Sequence, residues 1–111
     1  MSHFIYADHA ATTAVSDTAL QAMLPHFTTA YGNPSSLYRL GQEAAEALQS
    51  ARETVAACLG CTPREITFTS GGTESNNLAL IGTALANKRA GNHIITSCVE
   101  HASIYNTTAF L

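Results

Sequence analysis

Apolar positions along this chain follow two periods, one helical and one extended. Leu20, Met23, Leu24, Phe27 and Tyr31 share one face at helical spacing. Ser16 stands where an N-cap belongs, and Pro25 should kink this first helix or end it early. A second helix is predicted from about Leu40 to Leu59. Ala44, Leu48, Ala51, Val55 and Leu59 form its apolar face, opposite Glu43, Glu46, Gln49 and Glu53. Gly32-Asn33-Pro34-Ser35-Ser36 between the two reads as a loop, and Gly60 as a C-cap. Thr62-Pro63-Arg64-Glu65 has the pattern of a capping box with proline at the first helical position. A third helix, from about Glu74 to Lys88, is apolar on most sides, which predicts burial. A fourth opens at Glu100-His101-Ala102-Ser103.

The extended runs lie between these helices. Phe4-Ile5-Tyr6-Ala7 is a short one and leads into a small, polar turn at residues 8–13. Ile66-Thr67-Phe68-Thr69 and His93-Ile94-Ile95-Thr96-Ser97-Cys98-Val99 read as buried strands. Strand, helix, strand from Ile66 to Val99 predicts an α/β fold with parallel strands joined by a right-handed crossover. Both strand ends then face one edge of the sheet, the edge where open α/β sheets bind ligands. Two strands cannot cover three helices, and the chain stops within an apolar helical pattern. The sequence therefore reads as the N-terminal part of a larger protein.

The turn after Ile66 carries candidate chemistry. In Ser70-Gly71-Gly72-Thr73-Glu74, glycines meet a helix start, where free N–H groups and the helix dipole favour an anion. Ser70 and Thr73 add hydroxyl donors. The spacing does not fit G-x-x-x-x-G-K-[ST], because no lysine occurs before Lys88, and it does not fit G-x-G-x-x-G. A single phosphate without a metal remains, with an empty Gly-rich turn as the plain alternative. His101 follows the second strand at the same edge and is a candidate catalytic group. His3, His26 and His93 have no such placement.

Composition narrows the class. The chain has 111 residues, 46% hydrophobic and 12% charged, with a net charge of −3. That is globular and gives no reason to expect nucleic acid or a membrane surface. No apolar run approaches a membrane span, and the N-terminus lacks signal-peptide character, so a cytoplasmic location is the default. Three cysteines argue against a disulfide framework. Cys58 and Cys61 have C-x-x-C spacing, but at a helix end and without further ligands, so a structural role is expected over metal or redox chemistry.

Tyr6-Ala7-Asp8-His9-Ala10-Ala11-Thr12-Thr13, Gly32-Asn33-Pro34-Ser35-Ser36, residues 68–77 and Glu100-His101 together resemble the N-terminal part of cysteine desulfurases. These are pyridoxal-phosphate enzymes of the class V aminotransferase group, and the likeness is to the NifS/IscS-like branch. One departure is His9, where many members have asparagine. The resemblance implies a type I pyridoxal-phosphate transferase fold, incomplete here. Residues 1–15 would be an N-terminal arm of the small domain and residues 16–111 the first part of the large, cofactor-binding domain.

The resemblance further implies that Gly72 and Thr73 hold the phosphate of pyridoxal 5'-phosphate, and that His101 stacks on its ring and assists proton transfers. The reaction would take sulfur from L-cysteine, giving L-alanine and an enzyme persulfide. A homodimer and an iron–sulfur scaffold or other sulfur acceptor would be the partners. Lys88 is the only lysine and matches no cofactor-linking motif, and none of the three cysteines occupies the catalytic cysteine's motif. Residues 1–111 alone are therefore expected to be inactive. A non-catalytic phosphate-binding module, or a piece of a split enzyme, is the alternative.

Overall fold

The computed structural model describes residues 4–111, so His3 lies outside the described residues. The chain forms two compact units, one running to Ile66 and one from Thr67 to Leu111.

In the first unit, α1 (Asp17–Thr28) starts where Ser16 predicts. The Ser16 hydroxyl accepts the Ala19 N–H at 3.3 Å. Pro25 does not stop the helix at once. Its carbonyl instead gathers the end of α1, accepting the N–H groups of Thr29 and Ala30 at 2.9 and 2.8 Å and the Thr29 hydroxyl at 3.2 Å. α2 (Arg39–Leu59) ends on Gly60, whose φ of 69° is left-handed. There the Cys61 N–H reaches the Ala56 carbonyl at 3.0 Å, the backbone pattern of a Schellman ending. The capping box at residues 62–65 forms as read. Glu65 Oε2 accepts the Thr62 N–H at 2.7 Å and the Thr62 hydroxyl at 2.8 Å, around a 3-10 turn at Pro63–Glu65 that packs on α2. Arg52 of α2 donates to the Ile66 carbonyl and ties down the chain before the next turn.

The predicted apolar face of α2 is not where this unit packs tightest. Leu48, Val55 and Leu59 stay exposed, whereas Gly41 and Ala56 are buried. A Cβ on Gly32 would run into the Leu40 carbonyl, and one on Gly41 into the carbonyls of Ser36 and Asn33. The 32–36 loop thus lies directly on the first turn of α2, an approach that only a hydrogen side chain permits.

In the second unit, α3 (Gly72–Ala86) packs against α4 (Ala102–Phe110). Two expectations fail here. Residues 66–70 and 93–99 join no β-ladder among the described residues, although Ile66 is extended at φ −97° and ψ 124°. A strand needs a neighbour to take its N–H and C=O groups, and neither run supplies one to the other. Ile95 and Val99 are left 87% and 86% exposed. Nor is α3 buried: Leu78 and Leu85 are each 53% exposed. What α3 and α4 bury is polar, namely Ser103 and Thr107 of α4, at 8% and 4% exposure.

Candidate active site

The turn into α3 is shaped by hydroxyls. Thr69 Oγ1 and Ser75 Oγ lie 2.6 Å apart, and both reach the Gly71 carbonyl at 3.2 Å. The Ser75 N–H bonds the same carbonyl at 3.1 Å. With that carbonyl held along the helix, the Gly72 N–H in the same planar peptide points the other way, out of the helix start. The first-turn N–H groups of Gly72, Thr73 and Glu74 have no partner within the helix, and no side chain caps them. Gly71 is extended at φ 164°, so strain does not demand glycine there. A Cβ on Gly71 or Gly72 would meet no heavy atom within 4 Å. The space before the helix start is therefore open, as a bound phosphate requires.

Ser70 does not join this cradle. Its N–H and hydroxyl both donate to Glu74 Oε2, each at 2.7 Å. Those two bonds, the hydroxyl's first, hold the Glu74 carboxyl below the usual carboxylate range. The donor set is thus narrower than the sequence suggests: backbone N–H groups at residues 72–74 and the Thr73 hydroxyl, without Ser70.

His101 is the N-cap of α4. Its Nδ1 accepts the Ser103 N–H at 3.2 Å, and Ser103 Oγ lies 2.8 Å from the same nitrogen. Two adjacent asparagines of α3 hold α4 in place. Asn76 Nδ2 donates to Ser103 Oγ at 2.8 Å, and the Thr107 hydroxyl donates to Asn77 Oδ1 at 2.7 Å. Asn77 Nδ2 in turn donates to the Thr73 carbonyl at 2.8 Å. The two bridges bring Thr73 and His101 to one open pocket of about 380 Å³, lined also by Asn77, Asn106, Thr107 and Phe110.

Of the residues singled out in the sequence, the fold therefore joins Thr73 and His101 without any sheet between them. Gly72 sits beside Thr73 at the helix start but does not line the pocket, and neither does Lys88. Sequence reasoning passed over Asn76, Asn77, Ser103 and Thr107. Their signal was available, since two consecutive asparagines are unfavourable inside a helix unless they bond to something. Ser103 and Thr107 also share a helix face at i, i+4.

Cys58 and Cys98 are exposed and Cys61 is half-buried, and all three are free. Cys61 follows the glycine of the α2 ending, and its N–H bonds the carbonyl of the buried Ala56. Cys58, two positions after Ala56, lies on the other side of the helix. Among the described residues no three His, Cys, Asp or Glu side chains cluster to hold a metal. No helix among them is long and apolar enough to cross a membrane.

Known proteins resemble this chain along nearly all of its length. The profile of the aminotransferase class-V family matches residues 5–111. A putative cysteine desulfurase IscS 1 of Bacillus subtilis is 48% identical over 103 residues, which are 93% of this chain and 27% of that protein. The cysteine desulfurase IscS of Methanosarcina thermophila is 48% identical over 107 residues, 96% of this chain and 26% of that protein. A solved NifS-like protein superposes with a TM-score of 0.83 at 40% identity, covering 93% of this chain and 28% of its own. The chain thus spans just over a quarter of the length of these relatives, and the superposition makes its fold a portion of the type I pyridoxal-phosphate transferase fold.

Proposed function

We propose, for a chain that belongs to the aminotransferase class-V family, that it is the phosphate-binding portion of a pyridoxal-phosphate-dependent cysteine desulfurase. The observation that carries the reading is the shared pocket. Thr73, in the first turn of an uncapped helix start, and an imidazole held by its Nδ1 line one open space. The N–H groups of Gly72 and Thr73 and the Thr73 hydroxyl suit the cofactor's phosphate. The flat ring of His101 suits a place against the pyridine, with Nε2 as its working nitrogen. Bound there, pyridoxal phosphate would supply the electron sink that lets the bond to sulfur break.

The names of the relatives support L-cysteine as the substrate. L-Alanine and an enzyme-bound persulfide would be the products. Residues 1–15 would be the arm of the small domain and residues 16–111 the first part of the large domain. A homodimer in the cytoplasm, handing sulfur to an iron–sulfur scaffold or another acceptor, completes the proposal. The lysine that links the cofactor and the cysteine that carries the sulfur are assigned to sequence beyond the quarter matched here. Lys88 does not line the pocket, and none of the three cysteines does.

Alanine released from L-cysteine by the whole protein tests the reading. We expect alanine and sulfide in equal amounts under reducing conditions. Replacing Thr73 by Val should weaken pyridoxal-phosphate binding about tenfold, the loss of one hydrogen bond to a charged group. Amino-group transfer to a keto acid without sulfide would refute the desulfurase assignment. Unchanged cofactor affinity in Thr73→Val would refute the phosphate site.

A further inference from the structure

We propose that Ser103 and Asn76 are positioning residues that hold the proton of His101 on Nε2. The proposal deepens the reading above and rests on it in one respect, that the His101 ring meets the cofactor. The geometry of the relay stands on its own.

The backbone N–H of Ser103 points at His101 Nδ1 from 3.2 Å. An amide N–H can only donate, so Nδ1 must accept, and the single proton of the neutral ring sits on Nε2. Ser103 Oγ lies 2.8 Å from the same nitrogen. Facing a bare Nδ1, that hydroxyl donates as well. Its lone pair is used in turn, because Asn76 Nδ2 donates to it from 2.8 Å. The chain runs in one direction, from the Asn76 amide to the Ser103 hydroxyl to the imidazole. Ser103 is 8% exposed, so water does not readily take the place of either partner.

Nε2 has no hydrogen-bond partner among the described residues, and the ring lines the pocket. His101 therefore offers the site an N–H at Nε2 and no lone pair. A proton placed on Nδ1 instead would face two donors and break the cap of α4. Helix start, ring orientation and tautomer are thus set together at Ser103, by its backbone N–H and by the hydroxyl that Asn76 holds. Ser103 borders the same pocket and Asn76 does not; in this scheme both act through His101.

Long-range proton–nitrogen NMR of the whole protein, labelled at the histidine rings, tests this with and without pyridoxal phosphate. The His101 signals are identified by their loss in His101→Gln. We expect an unprotonated Nδ1 and a protonated Nε2 in both states. Ser103→Ala keeps the backbone N–H and loses the hydroxyl donor, so the two nitrogens should move part of the way toward the average of the two tautomers, and Ser103→Thr should restore the pattern. Asn76→Asp should act like Ser103→Ala, because a carboxylate takes the hydroxyl's proton away from the ring. Turnover of L-cysteine should fall in kcat with KM little changed.

A proton on Nδ1 in the unmodified protein would overturn the proposal. So would Ser103→Ala and Asn76→Asp variants whose nitrogen signals do not move. If a variant fails to fold, the pattern of the unmodified protein still decides. Failure of the cofactor reading looks different. It would leave the nitrogen pattern as expected while pyridoxal phosphate does not bind or leaves the His101 signals unperturbed.

Discussion

Up to Ile66 the chain closes backbone against backbone, whereas from Thr67 onward amide and hydroxyl side chains bridge two helices. In the first region Gly32 and Gly41 let a loop rest on the start of α2, and Ala56 is buried beside the helix end. In the second, Asn76 and Asn77 reach across to Ser103 and Thr107. Close backbone packing is rigid and indifferent to chemistry. Hydrogen-bonded bridges are directional, so they fix where particular side chains stand. The polar region is the one that carries Thr73 and His101. Its geometry can therefore orient an imidazole, a task that glycine contacts cannot perform.

The largest expected effect comes from filling the first region's close approach. Gly41→Ala drives a methyl into the carbonyls of Ser36 and Asn33, and backbone cannot step aside as a flexible side chain can. A loss of about 3 kcal/mol in urea unfolding of the whole protein is expected. A loss below about 1 kcal/mol would mean that the loop gives way easily. Next comes the second region. Thr107→Val keeps the shape and removes the hydroxyl that meets Asn77 Oδ1 and the Ser103 carbonyl. About 2 kcal/mol should be lost. Hydrogen exchange should quicken in α3 and α4 while α2 stays protected, and equal quickening in α2 would break the division between the two regions.

A control of opposite sign is Gly82→Ala in α3. Its Cβ meets no heavy atom within 4 Å, so helix propensity alone decides, and a gain of up to about 1 kcal/mol is expected. The smallest effect is the acid response of the two glutamate clasps. Both carboxyls are held below the usual range, Glu74 chiefly by the Ser70 hydroxyl and Glu65 chiefly by the Thr62 N–H. A lowered native pKa favours the folded form above the ordinary carboxylate value of about 4.3, and that contribution fades as pH falls through the native pKa. Helix content measured by circular dichroism should therefore loosen at the start of α3 below about pH 4. Glu74→Gln should lack that step, and an identical acid titration in the variant would remove Glu74 as its cause.

Local sequence was enough for the helices, their caps and the open glycine turn that starts α3. Ser16, Gly60, the box at residues 62–65 and the glycine pair at 71–72 act through neighbours a few residues away, so their local pattern is sufficient. The family motifs carried the assignment for the same reason, because they are short ordered strings. Tertiary structure alone decided three things. Among the described residues it left 66–70 and 93–99 without a ladder, since pairing depends on distant chain. It turned the Ser70 N–H and hydroxyl onto Glu74 rather than toward the open helix start, a choice that sequence cannot rank. And it aimed the Ser103 N–H and the hydroxyl that Asn76 holds at His101 Nδ1. That last arrangement needs a contact between residues 27 positions apart, and only the packing of α3 on α4 creates it.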